Sequence, residues 1–173
     1  MRLRPYTDDD LWLTEALERD PEVMRELGGP TDRDRLPRIH RNRVADPWWF
    51  TIVTGPDSTP VGTIGVWETS HGAERMHEAG WMVLPAHQGR GIASAALALL
   101  IERVGGEPGI PSIHAFPPVT NGPSNALCRK FGFALMGESD FEYAGRTLRC
   151  NHWSLATPGD GRARGSTDRI SGS

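Results

Sequence analysis

Cysteine is scarce in this chain. Only Cys128 and Cys150 occur, too few for a disulfide scaffold, and both are expected as free thiols. Charge of one sign is not in excess: 19 Lys and Arg oppose 22 Asp and Glu, a net of −3. That removes the electrostatic case for nucleic acid or an anionic membrane as the main partner. No apolar run is long enough to cross a bilayer. The opening residues Met1-Arg2-Leu3-Arg4-Pro5 lack the apolar core of a secretion signal, so a cytoplasmic location is the default expectation. The histidines His40, His71, His77, His87, His114 and His152 are scattered, and neither cysteine stands at ligand spacing from one of them. No metal site is expected, and no internal repeat is found.

What is present describes one globular domain. The chain has 173 residues, 38% hydrophobic and 24% charged, enough for a sizeable core. Apolar residues almost vanish after Pro158. Residues 1–157 are therefore expected to fold, and 158–173 to form a disordered Gly/Ser/Arg/Asp tail.

Taken in order, Arg2 to Tyr6 alternates as a short strand. Thr7-Asp8-Asp9-Asp10 offers N-cap residues for a helix to about Arg19. A second short helix is expected from Pro21 to Leu27, broken by Gly28-Gly29-Pro30. Thr31 to Ala45 is helical in pattern, and its run Arg33 to Arg43 reads as a solvated face because Asp32 and Asp34 are interleaved with it. Trp48 to Val53 and Val61 to Trp67 form a hairpin about the turn Gly55 to Pro60. A loop, Thr69 to Ala73, leads to a third strand, Met76 to Val83. A helix runs from Gly91 to about Val104, then a strand from Pro111 to Phe116, then a helix from Ser124 to Phe131. Phe133 to Gly137 and Thr147 to Leu155 close the domain as a strand pair around Asp140 to Gly145. The order predicts an α/β fold with a mixed sheet and helices on both faces.

The chain is organised around the junction between the third strand and the long helix. Trp81-Met82-Val83-Leu84 ends a strand, and Pro85 to Gly91 makes a short loop with glycines at 89 and 91. The first amides of a helix have no partner inside it and carry partial positive charge. Glycines beside such an end let a phosphate approach the backbone. The P-loop pattern is absent, since no Gly-Lys-Ser/Thr follows, and only Gly89 and Gly91 stand where a dinucleotide fingerprint needs three glycines.

Gln88-Gly89-Arg90-Gly91-Ile92-Ala93 resembles the Gln/Arg-x-x-Gly-x-Gly/Ala signature of the GCN5-related N-acetyltransferases (GNAT). Asn121 to Phe133 resembles the second motif of that superfamily's ribosomal-protein-alanine N-acetyltransferase branch, with Asn121, Ser124, Leu127, Lys130, Gly132 and Phe133 matching. The resemblance covers residues 1 to about 157. It implies a GNAT fold, with a mostly antiparallel central sheet of six to seven strands. It implies acetyl transfer from acetyl-CoA, as cosubstrate, to a primary amine by direct attack in a ternary complex. The amine is a protein N-terminus or a small molecule.

The resemblance also assigns roles. Gln88, Gly89, Arg90, Gly91, Ile92, Ala93 and Ser94 would hold the diphosphate. Trp81, Met82 and Val83 would present a backbone edge to the pantetheine arm and an amide to the acetyl oxygen. Glu78, on the strand leading to the cradle, is the candidate base for the amine proton, with His77 and His114 as rivals. Alternation puts His77 and Glu78 on opposite faces. Ser124 is the candidate hydrogen-bond donor to the leaving sulfur, and Asn121 would contact pantetheine, cap the helix, or both. Many family members carry a tyrosine acid seven positions after the motif asparagine; here that position is Cys128. This departure leaves a second class of function open, a non-catalytic acyl-CoA sensor or partner module. Asp140 and Glu142 are candidates to attract a cationic amine or simply a solvated turn. Trp48-Trp49 reads equally as core, interface or substrate wall. A homodimer is compatible with this composition.

Overall fold

The computed structural model describes residues 1–71, 74–143 and 145–157; the tail expected at 158–173 lies outside the described residues. The elements are β1 (Arg2–Pro5), α1 (Leu11–Glu18), α2 (Leu36–Ala45), β2 (Trp49–Thr54), β3 (Thr59–His71), β4 (Glu74–Val83), α3 (Ile92–Val104), β5 (Ser112–Ala115), α4 (Gly122–Lys130), β6 (Ala134–Tyr143) and β7 (Arg146–Ala156). The strands form one seven-stranded sheet in the order β1-β2-β3-β4-β5-β7-β6. Every pairing is antiparallel except β4 with β5.

Strand alternation separates two layers. Phe50, Ile52, Ile64 and Val66 share a core with Ala96, Leu97, Leu100 and Val104 of α3 and Cys128 of α4. Helices α1 and α2 serve the other face. There Thr51 donates to Asp10 ahead of α1 at 3.0 Å, and the Arg43 guanidinium of α2 lies 5.0 Å from the Trp49 ring centroid. A buried polar cluster holds this layer. Arg43 donates to Glu18 at 2.5 Å and to Thr14 at 2.9 Å, while Thr31 donates to the other Glu18 oxygen at 2.8 Å.

Several boundaries differ from the sequence expectation. The helix expected at Pro21 to Leu27 is a single 3-10 turn, Arg25–Leu27. The Asp20 carboxylate accepts from the amides of Glu22 and Val23, a local bond that competes with helical pairing. The helix expected from Thr31 opens as a 3-10 turn, Arg33–Arg35, before α2. The loop expected at Thr69 to Ala73 is shorter, because β3 runs to His71 and β4 starts at Glu74. Asp140 to Tyr143, expected as part of a turn, belongs to β6. Its polar residues bond across to β7: Arg149 reaches Glu138 at 2.9 Å and Asp140 at 3.1 Å, and Thr147 reaches Glu142. Such pairs extend a hairpin outward.

The break between β4 and β5 positions the site. They pair only at His77 with Ile113 and Glu78 with His114, yet β4 continues to Val83. The cause is Pro117-Pro118, just after β5. Proline has no N–H for a ladder, and the chain here follows β7 instead. The Asn151 amide donates to Pro117 O at 3.0 Å, and the Val119 amide to Arg149 O at 2.9 Å. The sheet therefore splays beyond Glu78 and leaves the edge of β4 without a strand on that side.

Candidate active site

A cleft of about 1170 Å³ opens at the splay, larger than most single small-molecule pockets. One end is bounded by the β4 edge, the loop before α3 and the start of α4; the other by residues of the α1–α2 connection, β2, β3 and the β6–β7 hairpin.

At the first end the cradle is built as glycine chemistry requires. Gly89 and Gly91 have φ of +71° and +75°, a region costly for other residues. Gln88 does not face the loop; its side-chain amide donates to Val83 O at 2.9 Å and pins the loop to the strand end. Gly91 is the N-cap of α3, so the amides of Ile92, Ala93 and Ser94 form the open first turn. All three residues line the cleft; Arg90 is exposed and does not. A second cation reaches the rim of this turn, exposed and likewise outside the cleft lining. Lys130, from the end of α4, donates to Ser94 Oγ at 2.6 Å.

The start of α4 forms the facing wall. The Asn121 side chain accepts from the Ser124 amide at 3.1 Å, so it caps the helix, and both residues line the cleft. Asn125, singled out by no motif argument, is the hub of this region. Its amide donates to Pro118 O at 2.9 Å and Asn121 O at 2.8 Å, and its oxygen accepts from Asn151 at 2.7 Å and Trp153 at 2.9 Å. Cys128 points away. It is 0% exposed within the α3-side core, and burial pushes its thiol up to about 12. It has neither the access nor the acidity for a nucleophile or proton donor.

Glu78 sits where the splay begins, in a row across three strands: Trp67, Glu78, His114. It lines the cleft, and burial raises its carboxyl from 4.5 to about 7. No hydrogen bond or ion pair to Glu78 is found among the described residues, so its carboxyl is held near neutrality and uncommitted. Of its rivals, His77 faces a separate pocket on the other side of the sheet, beside Trp48 and Glu107. His114 is engaged by Ser112 at 3.0 Å and by His152 at 2.9 Å, and it does not line the cleft. Cys150 lies close by: burial pushes its thiol up to about 11, with the Glu78 carboxylate adding to the effect.

Beyond Glu78 the wall is aromatic. Trp49 and Trp67 stack with ring centroids 5.0 Å apart. Their floor is glycine: a Cβ on Gly65 would lie 2.7 Å from Trp49, and one on Gly80 2.7 Å from Trp67. Trp48 packs instead against the core on the α3 side, so the Trp48-Trp49 pair divides between core and cleft. Phe116, Phe141 and Tyr143 complete the wall. Asp140 and Glu142, bonded to β7 and exposed, do not line the cleft. No group of three or more potential metal ligands occurs among the described residues. No helix of the described residues is long and apolar enough to span a membrane.

A strand end splayed from its neighbour, a glycine loop at the following helix and a second motif at the facing helix make up the scaffold of an acyltransferase domain. The family model of the acetyltransferase (GNAT) domain matches residues 1–134, and the chain belongs to this family of acetyltransferases. A search of curated protein sequences found no match. Solved structures share the fold at low identity. A GNAT-family acetyltransferase from Bacillus anthracis superposes with a TM-score of 0.74 at 18% identity, covering 89% of this chain and 93% of that one. A ribosomal-protein-alanine N-acetyltransferase from Brucella melitensis gives 0.71 at 23% identity, covering 90% and 99%. A spermidine N-acetyltransferase from Vibrio cholerae, solved with CoA and spermine, gives 0.74 at 19% identity, covering 92% and 96%.

Proposed function

We propose that the protein transfers an acetyl group from acetyl-CoA to a primary amine held in the same cleft, by direct attack. One observation carries this: Glu78, uncommitted and poised near pH 7, stands between an anion cradle and an aromatic chamber within a single cleft. The residues present fit the cosubstrate. The free edge of β4 at Trp81, Met82 and Val83 suits an extended amide-bearing arm, and the β4 backbone offers an N–H to the acetyl oxygen. The α3 amides from Ile92 to Ser94, with Gly89, Gly91 and Lys130, suit a diphosphate. Gln88 contributes by fixing the loop.

Glu78 takes the proton from the arriving ammonium group. The amine nitrogen then forms its bond to the acetyl carbon, the carbon–sulfur bond breaks, and the second amine proton passes to the departing sulfur to give the free thiol. Ser124, which lines the cleft, hydrogen-bonds the departing sulfur through Oγ, with Asn121 capping the helix that carries it. The tryptophan faces hold the carbon skeleton beside the attacking nitrogen.

The test is CoA release, followed with a thiol reagent, over N-terminal peptides, polyamines, amino acids and aminoglycosides. Turnover with any of them that falls in Glu78→Gln supports the proposal. Tight acetyl-CoA binding without turnover across the panel would overturn it in favour of an acyl-CoA sensor.

A further inference from the structure

The sheet has a second open edge, at its middle. β2 pairs with β3 only from Thr59 to Gly65, whereas β3 runs on to His71 and stays paired with β4 as far as His71 with Glu74. One side of the last part of β3 therefore has no strand beside it. The cause lies at the start of β2. Pro47 has no N–H to extend a ladder, and the chain turns there. The Trp48 amide donates to the Asp46 carboxylate at 2.9 Å, and the Trp49 amide to Asp46 O at 3.1 Å. Beyond the paired stretch, one bond still joins the two segments, from the Val66 amide to Trp48 O at 3.1 Å. Backbone groups alternate in direction along a strand. With Val66 facing β2, the N–H and C=O of Glu68 and Ser70 face the same, unfilled side. Among the described residues, no backbone bond from another segment reaches them there.

A groove of about 550 Å³ lies along this edge. It is the pocket that His77 faces. Asn42, Asp46, Trp67 and Glu68 line both this groove and the Glu78 cleft, and Trp67 is the register partner of Glu78. The groove is acidic: Asp46, Glu68 and Glu107 line it, and no Lys or Arg does so among the described residues. Arg75 pairs with Glu68 from outside the lining. Trp48, Val66 and Ile110 add apolar surface.

We propose that this edge takes a basic, extended stretch of a polypeptide acceptor as an added strand beside Glu68 and Ser70, while the N-terminal amine of that polypeptide enters the cleft. This rests on the amine-acetylation proposal above and names its substrate class. The free amides and carbonyls of the edge supply bonds that any extended chain can complete. The acids decide the sign of its side chains: lysine or arginine is drawn in and glutamate or aspartate is turned away. A second copy pairing through the same edge would set Glu68 and Glu107 of the two copies against each other. The occupant is therefore a chain of opposite charge.

The experiment compares KM and kcat for amidated peptides that share an Ala-Ala-Ala start. They are the tripeptide, a decapeptide with lysine at alternate later positions, and the same decapeptide with glutamate there. Two further lysine decapeptides carry backbone N-methyl groups on one or the other alternate set of amides. Only one such set faces the neighbouring strand. The expected result is a KM about tenfold or more lower for the lysine decapeptide than for the tripeptide, with similar kcat. The glutamate peptide should show no such gain. One methylated set should lose the gain and the other keep it, and Glu107→Lys should bring the lysine and glutamate peptides close together. Equal KM for the lysine and glutamate peptides, or equal behaviour of the two methylated sets, would overturn the proposal. If the wild-type protein acetylates none of these, the acetyl-transfer proposal is what has failed. Fluorescence anisotropy of the same peptides, labelled at the C-terminus and with CoA present, then decides the groove. Tighter binding of the lysine peptide that is lost with one methylated set and in Glu107→Lys supports it, and equal binding overturns it.

Discussion

Replacing Glu78 by glutamine should make the protein more stable and much less active, and both effects should follow pH. Burial holds the Glu78 carboxyl at about 7 against 4.5 in an exposed chain. A carboxyl whose folded value lies above its unfolded value favours folding only while protonated. The penalty is absent below pH 4.5, grows between 4.5 and about 7, and is constant above that. The difference between those two values corresponds to about 3 kcal/mol once the group is ionised. Glutamine has nearly the same shape and no charge. Differential scanning fluorimetry should give Glu78→Gln a melting temperature roughly 6 °C or more above wild type at pH 8. The two curves should converge as pH falls toward 4.5. Loss of a general base removes about 100-fold or more from the rate. The wild-type pH profile of kcat/KM should rise through about 7, and the variant should lose that inflection. The amine's own titration is common to both proteins and drops out of the comparison. A melting difference independent of pH, or a variant with near wild-type turnover and the same inflection, would refute the reasoning.

Three further outcomes follow from the packing. Asn125→Ala leaves the Trp153 and Asn151 donors and the Pro118 carbonyl without their partner; it should cost about 3 kcal/mol in urea unfolding, since buried groups stripped of hydrogen bonds keep their desolvation penalty. Gly80→Ala places a methyl group 2.7 Å from the Trp67 ring, so the indole must tilt; the acceptor KM should rise about tenfold in steady-state assays while calorimetric acetyl-CoA affinity stays near wild type. Cys128→Ala should lower stability by about 1 kcal/mol through a small cavity, yet keep kcat in the same assays; a large loss of kcat at unchanged stability would restore a chemical role for this thiol.

Most of the fold was legible because its signals are local. Glycines 89 and 91 marked the cradle, and strand alternation separated His77 from Glu78. The elements that moved are those where a side chain competes with the backbone. Asp20 turns an expected helix into a 3-10 turn, and the Arg149 and Thr147 pairs draw an expected loop into β6. Of the residues singled out from the sequence, the side chains of Glu78, Asn121 and Ser124 belong to the same cleft as the glycine loop. Arg90 follows from its position in the motif, whereas the bond from Lys130 to Ser94 Oγ depends on how α4 approaches α3 and has no local signal. Asn125 was unreadable because all four of its partners lie on other segments or on the loop turning into its helix.

The acceptor chamber was the least legible part, for a reason that bears on how such a scaffold changes substrate. Its walls come from Arg35 before α2, Trp49 on β2, Trp67 on β3, Phe116 after β5, and Tyr143 on β6. No two of these share a local pattern, and only the sheet brings them together. The cradle end has the opposite construction: one continuous loop and two helix starts. The cradle therefore tolerates little change, because Gly89 and Gly91 occupy backbone conformations that other residues enter only with strain. The chamber residues are side chains on a framework whose core lies on the other face of the sheet, so they can be exchanged without disturbing that core. The exceptions are Gly65 and Gly80, where any side chain meets an indole. These two glycines couple acceptor geometry to the sheet itself. A variant that replaced Trp67 by a small side chain should accept alanine at 80, and thermal melts of the double variant against each single one would show the compensation directly.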